Sequence, residues 1–338
     1  MASRDVFAEI DKLRAQLLQN VEVTVDCQRA EEVSHLEVLK RIENIIQGIV
    51  ASLSKDEAPV LVVPNRSSWA NVSFDSAVGL QMSSGSSVIT IRCDSALSTT
   101  KFARILKILM VIYRLVLSNS FATKRDIYYN NKQLFGSQKT VDGIVDDISC
   151  MLRVPRRSLH VLATSKGLIS GDLCYLEEDG TRIDCRSSST GKGFPDVNSR
   201  LMVRKLWDTL HIPILTLVDA DPHGIEIMCI YKYGSVAMSF EARSLTVPSV
   251  MWLGLLPSDL QRLRVPEDSL IRLTKRDESK LNSLLKRPYL TRHPDWQKEM
   301  ELMQQSKVKA EIQSLAAIGP DYLTNIYLPN KLRYGGWI

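Results

Sequence analysis

The 338-residue sequence predicts an α/β chain of mixed α+β character. Three observations carry that prediction. Near the N-terminus Ile42, Ile45, Ile46 and Ile49 recur at helical spacing with charges between them. Residues 98–185 read as three helices followed by a two-stranded hairpin. From residue 191 onward helix and strand patterns alternate, the order of an α/β layer with a partly parallel sheet.

Length and composition set the frame. A chain of this size can form two domains, each with a sizeable core. It is 44% hydrophobic and 24% charged, with a mean hydropathy of −0.07, ordinary values for a soluble globular protein. A net charge of +5 permits a polyanionic partner without requiring one. Cys27, Cys93, Cys150, Cys174, Cys185 and Cys229 lie far apart, which speaks against a disulfide framework or zinc module and fits a reducing compartment. Arg4, Asp5, Glu9, Asp11 and Lys12 rule out a signal peptide. The longest apolar runs, such as Ile212 to Val218, are too short to span a membrane, so a nuclear or cytoplasmic chain is expected.

Residues 1–57 form a helical arm. One helix cannot bury its own apolar stripe, so the arm docks on another subunit or packs on its own domain, and both readings stand. Val60 to Val63 reads as a buried strand, and Ser83, Ser84, Gly85, Ser86 and Ser87 as a surface loop. Ser98 or Thr99 caps a helix running to about Leu117, with Phe102, Ile105, Leu109, Ile112 and Val116 on one face. Thr123 caps a short helix, and Asp126 three residues on makes a capping box in its Asp form. A third helix, about Thr140 to Leu152, buries Ile144, Ile148 and Met151. Extended segments follow at Ser158 to Ala163, Asp172 to Leu176 and Thr181 to Cys185, with Asp179-Gly180 as a turn. Three helices and a hairpin make the order of a winged-helix module, whose third helix enters the major groove. Arg153, Arg156 and Arg157, just past that helix, either meet phosphates or form a solvated basic loop. Beyond them come a helix from about Asn198 to Leu210, a strand from Pro213 to Val218 and a helix after Asp221. From Ser258 the chain is charged and mostly helical, punctuated by Pro257, Pro266, Pro288 and Pro294.

The strongest local signal for chemistry is Asp219-Ala220-Asp221-Pro222-His223-Gly224. Two carboxylates at the carboxyl end of an apolar strand stand where α/β proteins build sites. Spaced two apart in extended chain, they share a face and can converge on a hard cation such as Mg²⁺; the plainer reading is a polar turn. A calcium EF-hand is excluded by His223 and Ile230 at ligand positions. Thr190-Gly191-Lys192-Gly193 fails as a phosphate loop, since Arg186 and Gly193 occupy positions that need Gly and Ser or Thr. His223 either serves the aspartates or is a structural turn residue, and His35, His160, His211 and His293 have no partners at ligand spacing. Arg125 and Tyr129 are four apart, so guanidinium and phenol can face one phosphate. Taken alone, Tyr128 and Tyr129 read more simply as half-buried aromatics on a helix.

Four segments occur together and in one order: Arg125-Asp126-Ile127-Tyr128-Tyr129, Ser165-Lys166-Gly167-Leu168-Ile169, Gly191-Lys192-Gly193-Phe194-Pro195-Asp196 and the Asp219–Gly224 turn. That set resembles the topoisomerase VI A-subunit family, and most closely its eukaryotic meiotic branch, which makes the double-strand breaks that initiate recombination. The resemblance runs from about Thr99 to Ile338. It implies a winged-helix domain over 58–163 and a Mg²⁺-binding Toprim domain over 164–338 with C-terminal helices. By the same resemblance Tyr129 is the nucleophile, forming a 5′-phosphotyrosyl bond, with Arg125 beside it and Asp219 and Asp221 as metal ligands. It further implies DNA contacts from Arg153, Arg156, Arg157, Lys166 and His223, a homodimer on double-stranded DNA, a GHKL-ATPase-like B-type partner on the arm, meiotic accessory proteins and a nuclear location.

One departure matters. A Toprim domain opens with a strand ending in a metal-binding Glu, then a helix and a second strand, ahead of the Asp-x-Asp strand. Such a unit takes roughly 30 or more residues, and here Cys185 is joined to Gly191 through Arg186, three serines and a threonine. The Toprim domain is therefore expected to be incomplete between 185 and 191, with exposed strand edges and weaker Mg²⁺ binding. Two functions follow: an active DNA transesterase, or a cleavage-deficient form that still binds DNA or the B-type partner.

Overall fold

A computed structural model describes residues 33–162, 171, 174–176, 182–185 and 196–338. Residues 1–32 of the arm, Lys166, the Asp179-Gly180 turn and residues 186–195 lie outside the described residues. The architecture is mixed helix and strand, as expected, built around two apolar cores.

The first core gathers the N-terminal elements. Helix His35–Leu53 buries Val38, Leu39, Ile42 and Ile49 against helices Ala96–Leu117 and Gln138–Leu152. The described part of the arm thus packs on its own domain, while Leu36, Val50 and Leu53 face outward. Arg41 fixes the contact by donating to the carbonyls of Leu152 (2.8 Å) and Arg153 (3.1 Å), which end the third helix. Strand Val60–Pro64 pairs antiparallel with Val88–Arg92, turning Leu61, Val63 and Ile91 inward.

The three expected helices are present, with a further short one, Lys132–Phe135, between the second and third. The long helix begins at Ala96, because Ser95 and Ser98 cap each other reciprocally ahead of the expected start. Helix Lys124–Asn130 follows Thr123, and helix Gln138–Leu152 follows a Ser137 cap. Ile144 and Ile148 are buried as expected, whereas Met151 is only half-buried. Strands Cys174–Leu176 and Arg182–Asp184 then pair antiparallel. Ser158 to Ala163 is not one extended run. Pro155 opens a 3₁₀ turn, Arg156–Leu159, which ends at His160 in a left-handed conformation before the strand Val161–Leu162. His160 Nε2 lies 3.3 Å from His35 Nε2, a meeting of residues that sequence spacing does not reveal.

The second core belongs to the C-terminal half, with one exception. Strand Leu215–Leu217 pairs in parallel with Met251–Gly254, whose outer edge is covered by Ile338 through bonds of 2.7 and 3.0 Å to Trp252. The other edge of Leu215–Leu217 has no strand partner among the described residues. Parallel strands are normally covered on both sides. The exception is the hairpin Val72–Asp75/Gly79–Met82, which lies in the N-terminal half by sequence and in the second core by packing. Leu80 is 1% exposed there, and Phe74 packs on Tyr233 and Tyr289. Arg287 over Trp69 and Arg292 over Phe74 hold it from outside, and Thr246 Oγ1 donates to the Val78 carbonyl at 2.7 Å. No described helix is long and apolar enough to cross a membrane.

Gly79 makes the hairpin's fit possible. Its φ is +91°, and a Cβ would fall on the Tyr233 backbone carbonyl. Gly79→Ala is therefore expected to destabilise the chain by about 1–3 kcal/mol. A urea midpoint equal to that of the unmodified chain would contradict the packing.

Candidate active site

The tyrosine side of the site is built on a short, well-capped helix. Asp126 N–H donates to Thr123 Oγ1 at 3.2 Å, and Asp126 Oδ2 accepts from the Thr123 backbone N–H at 2.8 Å. The Thr123 N–H first, and then the Thr123 hydroxyl, which donates to the same Oδ2 at 2.8 Å, hold the Asp126 carboxyl below its ordinary range. Ile127 is buried and pins the helix to the first core. Lys124 reaches Asp142 of the third helix at 3.3 Å. With Ile127 inward, Tyr128 lies half-buried against the core and Tyr129 is 67% exposed. Arg125 is also exposed, and neither it nor Tyr129 has a hydrogen-bond or ion-pair partner among the described residues.

The three arginines beyond the third helix are not equivalent. Arg153 and Arg157 are exposed. Arg156 is 7% exposed; its guanidinium pairs with Asp146 at 3.2 Å and its backbone N–H donates to Glu241 at 3.2 Å. It ties the two cores together, which does not match the phosphate contact expected of it.

The aspartate side is a tight turn. The strand ends at Leu217, so Asp219 and Asp221 are not on one extended face; Asp221 N–H bonds back to the Asp219 carbonyl at 2.8 Å. Asp221 caps helix Pro222–Tyr233, its Oδ1 accepting from Gly224 N–H at 2.6 Å. Asp219 Oδ1 accepts from Ile312 N–H at 2.8 Å. The second oxygen of each carboxylate takes no hydrogen bond among the described residues. Burial pushes the Asp221 carboxyl up; Gly224 N–H opposes this, the Asp219 charge adds to it, and His223 and Lys309 pull down. His223 Nε2 stands 3.8 Å from Asp277 Oδ1. Among the described residues no third His, Cys or carboxylate completes a cluster. Two free carboxylate oxygens still suit Mg²⁺, which keeps most of its waters and often binds through one or two carboxylates plus phosphate.

Sequence reasoning missed Asp277, and it noted Lys309 only within a Lys309–Gln313 segment of the family resemblance, with no site role; the two are joined at 2.8 Å beside this turn. For Asp277 the sign available was the Thr274-x-x-Asp277 capping pattern, which points to a helix start and not to a site. A cleft of about 420 Å³ between the cores, lined by Met82, Cys150, Arg153 and Glu241, contains neither tyrosine nor aspartates.

Comparison with known proteins fits this arrangement. Residues 189–332 match the model of the Toprim domain of the topoisomerase 6 A-subunit and Spo11, and residues 100–161 match the type IIB DNA topoisomerase model. Mouse "Meiotic recombination protein SPO11" is 52% identical, covering 98% of this chain and 97% of its own. The human protein of that name is 55% identical over 90% of this chain and 89% of its own. The chain belongs to the family of the topoisomerase 6 A-subunit and Spo11. The A-subunit of DNA topoisomerase 6 from Arabidopsis thaliana is 30% identical over 95% of this chain and 86% of its own. Members of this family are topoisomerase-like DNA transesterases, and a Toprim domain is generally a metal-binding one. The mouse alignment runs over 386 positions against 338 residues in this chain, so that relative carries residues with no counterpart here.

Gly224 sits in the elbow of the aspartate turn, where a Cβ would come within 2.5 Å of the Asp219 carbonyl oxygen. Gly224→Ala is expected to cost about 1–3 kcal/mol in a denaturant titration, because backbone and not a flexible side chain must move. An unchanged midpoint would show the turn to be looser than described.

Proposed function

We propose that this chain is the DNA-cutting component of a meiotic break-forming enzyme, with Tyr129 as its nucleophile. The observation that carries the reading is the presentation of Tyr129: 67% exposed on a capped helix, one turn from an exposed Arg125 that has no ion-pair partner among the described residues. The Tyr129 phenol oxygen bonds to phosphorus as the bond to the 3′ oxygen breaks. The phenol loses its proton and the 3′ oxygen gains one, leaving a 5′-phosphotyrosyl link and a free 3′-hydroxyl. An ordinary phenol, with a pKa near 10, needs help for this step. Arg125 offers paired donors to the phosphoryl oxygens as charge builds there.

No acid or base contacts Tyr129 within its own chain among the described residues, which supports a homodimer in which each tyrosine meets the aspartates of the other protomer. Asp219 and Asp221 are the residues that would hold Mg²⁺, which when bound supplies positive charge to the phosphate oxygens. Exposed Arg153 and Arg157, with His223 near the aspartates, support contacts to double-stranded DNA. The outward Leu36, Val50 and Leu53 of the arm helix support a contact with a GHKL-ATPase-like B-type partner. The meiotic names of the relatives support a nuclear location, with meiotic accessory proteins as further partners.

A second reading, a cleavage-deficient form that binds DNA or the B-type partner, is favoured by one group of observations. The relative's alignment is longer than this chain, the Toprim match begins at residue 189, and one edge of strand Leu215–Leu217 has no strand partner among the described residues. These support the loss of the opening Toprim strand and its Glu.

With the B-type partner and Mg²⁺ supplied, the unmodified chain is expected to form a covalent DNA adduct. Tyr129→Phe is expected to abolish it, Tyr128→Phe to keep it, and Arg125→Ala to slow it about a hundredfold or more. An adduct that survives Tyr129→Phe contradicts the assignment. No adduct from the unmodified chain, with DNA binding retained, selects the second reading.

A further inference from the structure

The segment from Lys309 to Ile312 is laced along the aspartate turn. Ala310 N–H donates to the carbonyl of Ala220, between the two aspartates, at 3.1 Å, and Ile312 N–H donates to Asp219 at 2.8 Å. Lys309 therefore starts from a backbone position beside the two free carboxylate oxygens, the natural place for its ammonium to settle. It is directed elsewhere: Lys309 Nζ lies 2.8 Å from Asp277 Oδ2.

Asp277 is well placed to hold it. Its side chain is buried, and Oδ2 also accepts from the Thr274 backbone N–H at 2.9 Å and hydroxyl at 2.8 Å. Its other oxygen faces His223 Nε2 at 3.8 Å. Burial works upward on this carboxyl, but Lys309 and Thr274 hold it down at about 2, so it is ionised at neutral pH. A fixed, half-enclosed carboxylate attracts an ammonium far more strongly than one in open water.

We infer that Asp277 is a positioning residue that keeps the Lys309 ammonium off the Asp219–Asp221 pair and so leaves that pair open to a divalent cation. An ammonium and a divalent cation compete for the same oxygens. Without Asp277 the Lys309 charge loses its partner, and the carboxylate of Asp221, on which that charge already acts, is left within its reach. The inference rests on the reading of Asp219 and Asp221 as metal ligands.

Mn²⁺ binding to the full chain, followed by electron paramagnetic resonance, tests it without any DNA cleavage. Asp277→Asn is expected to weaken binding about tenfold or more, since a freed unit charge now opposes the cation. Asp277→Asn combined with Lys309→Met is expected to restore it. Lys309→Met alone, which leaves the Thr274–Asp277 cap intact, is expected to bind at least as tightly as the unmodified chain. Unchanged binding by Asp277→Asn, no rescue by the double variant, or loss of binding in Lys309→Met overturns the inference while leaving the metal reading standing. If the unmodified chain binds no Mn²⁺, or binds it equally with Asp219→Asn and Asp221→Asn, the metal reading falls and takes the inference with it.

Discussion

Leu80 carries a hairpin from the N-terminal half of the sequence into the core of the C-terminal half, and the relation between tyrosine and aspartates depends on that insertion. The winged-helix elements have their own core, and so does the aspartate turn. What joins them is the hairpin, stacked through Phe74 on Tyr233 and Tyr289, together with two polar ties. Arg66 reaches Asp147 at 2.8 Å on one side and the Ala237 carbonyl at 3.3 Å on the other, and Glu241 receives the Arg156 N–H. The proposed roles of Tyr129 and of the aspartates need those two places held in fixed relation.

Each half of the chemistry is prepared by backbone capping. The Thr123–Asp126 box fixes the start of a helix too short to be stable alone, and buried Ile127 sets its rotation so that Tyr129 faces out. On the other half, Asp221 caps its helix with one oxygen and Asp219 holds Ile312 with one oxygen, leaving the second oxygen of each without a hydrogen bond among the described residues. The carboxylates that shape the turn are also the ones proposed to hold the cation. Asp277 repeats the device, since its cap on Thr274 fixes the oxygen that receives Lys309.

What the sequence made legible was mostly local. The Thr123-x-x-Asp126 box, the stripe from Phe102 to Val116 and the Asp-x-Asp turn after an apolar strand each depend on neighbours within a few residues, and each is present. The parallel pairing of Leu215–Leu217 with Met251–Gly254 was legible only as alternation of helix and strand. What stayed hidden depends on distant partners. Arg156 reads as a free cation until Asp146 and Glu241 close on it. Nothing around Leu80 marks it as belonging to a core assembled more than a hundred residues later. His35 and His160, and likewise Asp277 and Lys309, meet only because their elements pack.

Among the described residues one edge of strand Leu215–Leu217, which leads into the aspartate turn, has no strand partner. An unpaired strand edge invites foreign pairing, and the aspartate turn follows directly on that strand. The presentation of Tyr129 does not depend on that strand, since its helix rests wholly on the first core. The most direct test of the central claim is mass spectrometry of the DNA-linked peptide left after nuclease trimming, from a reaction containing Mg²⁺ and the B-type partner. The account predicts a residual nucleotide on Tyr129 alone; a nucleotide on Tyr128, or on any residue outside the helix Lys124–Asn130, would contradict it.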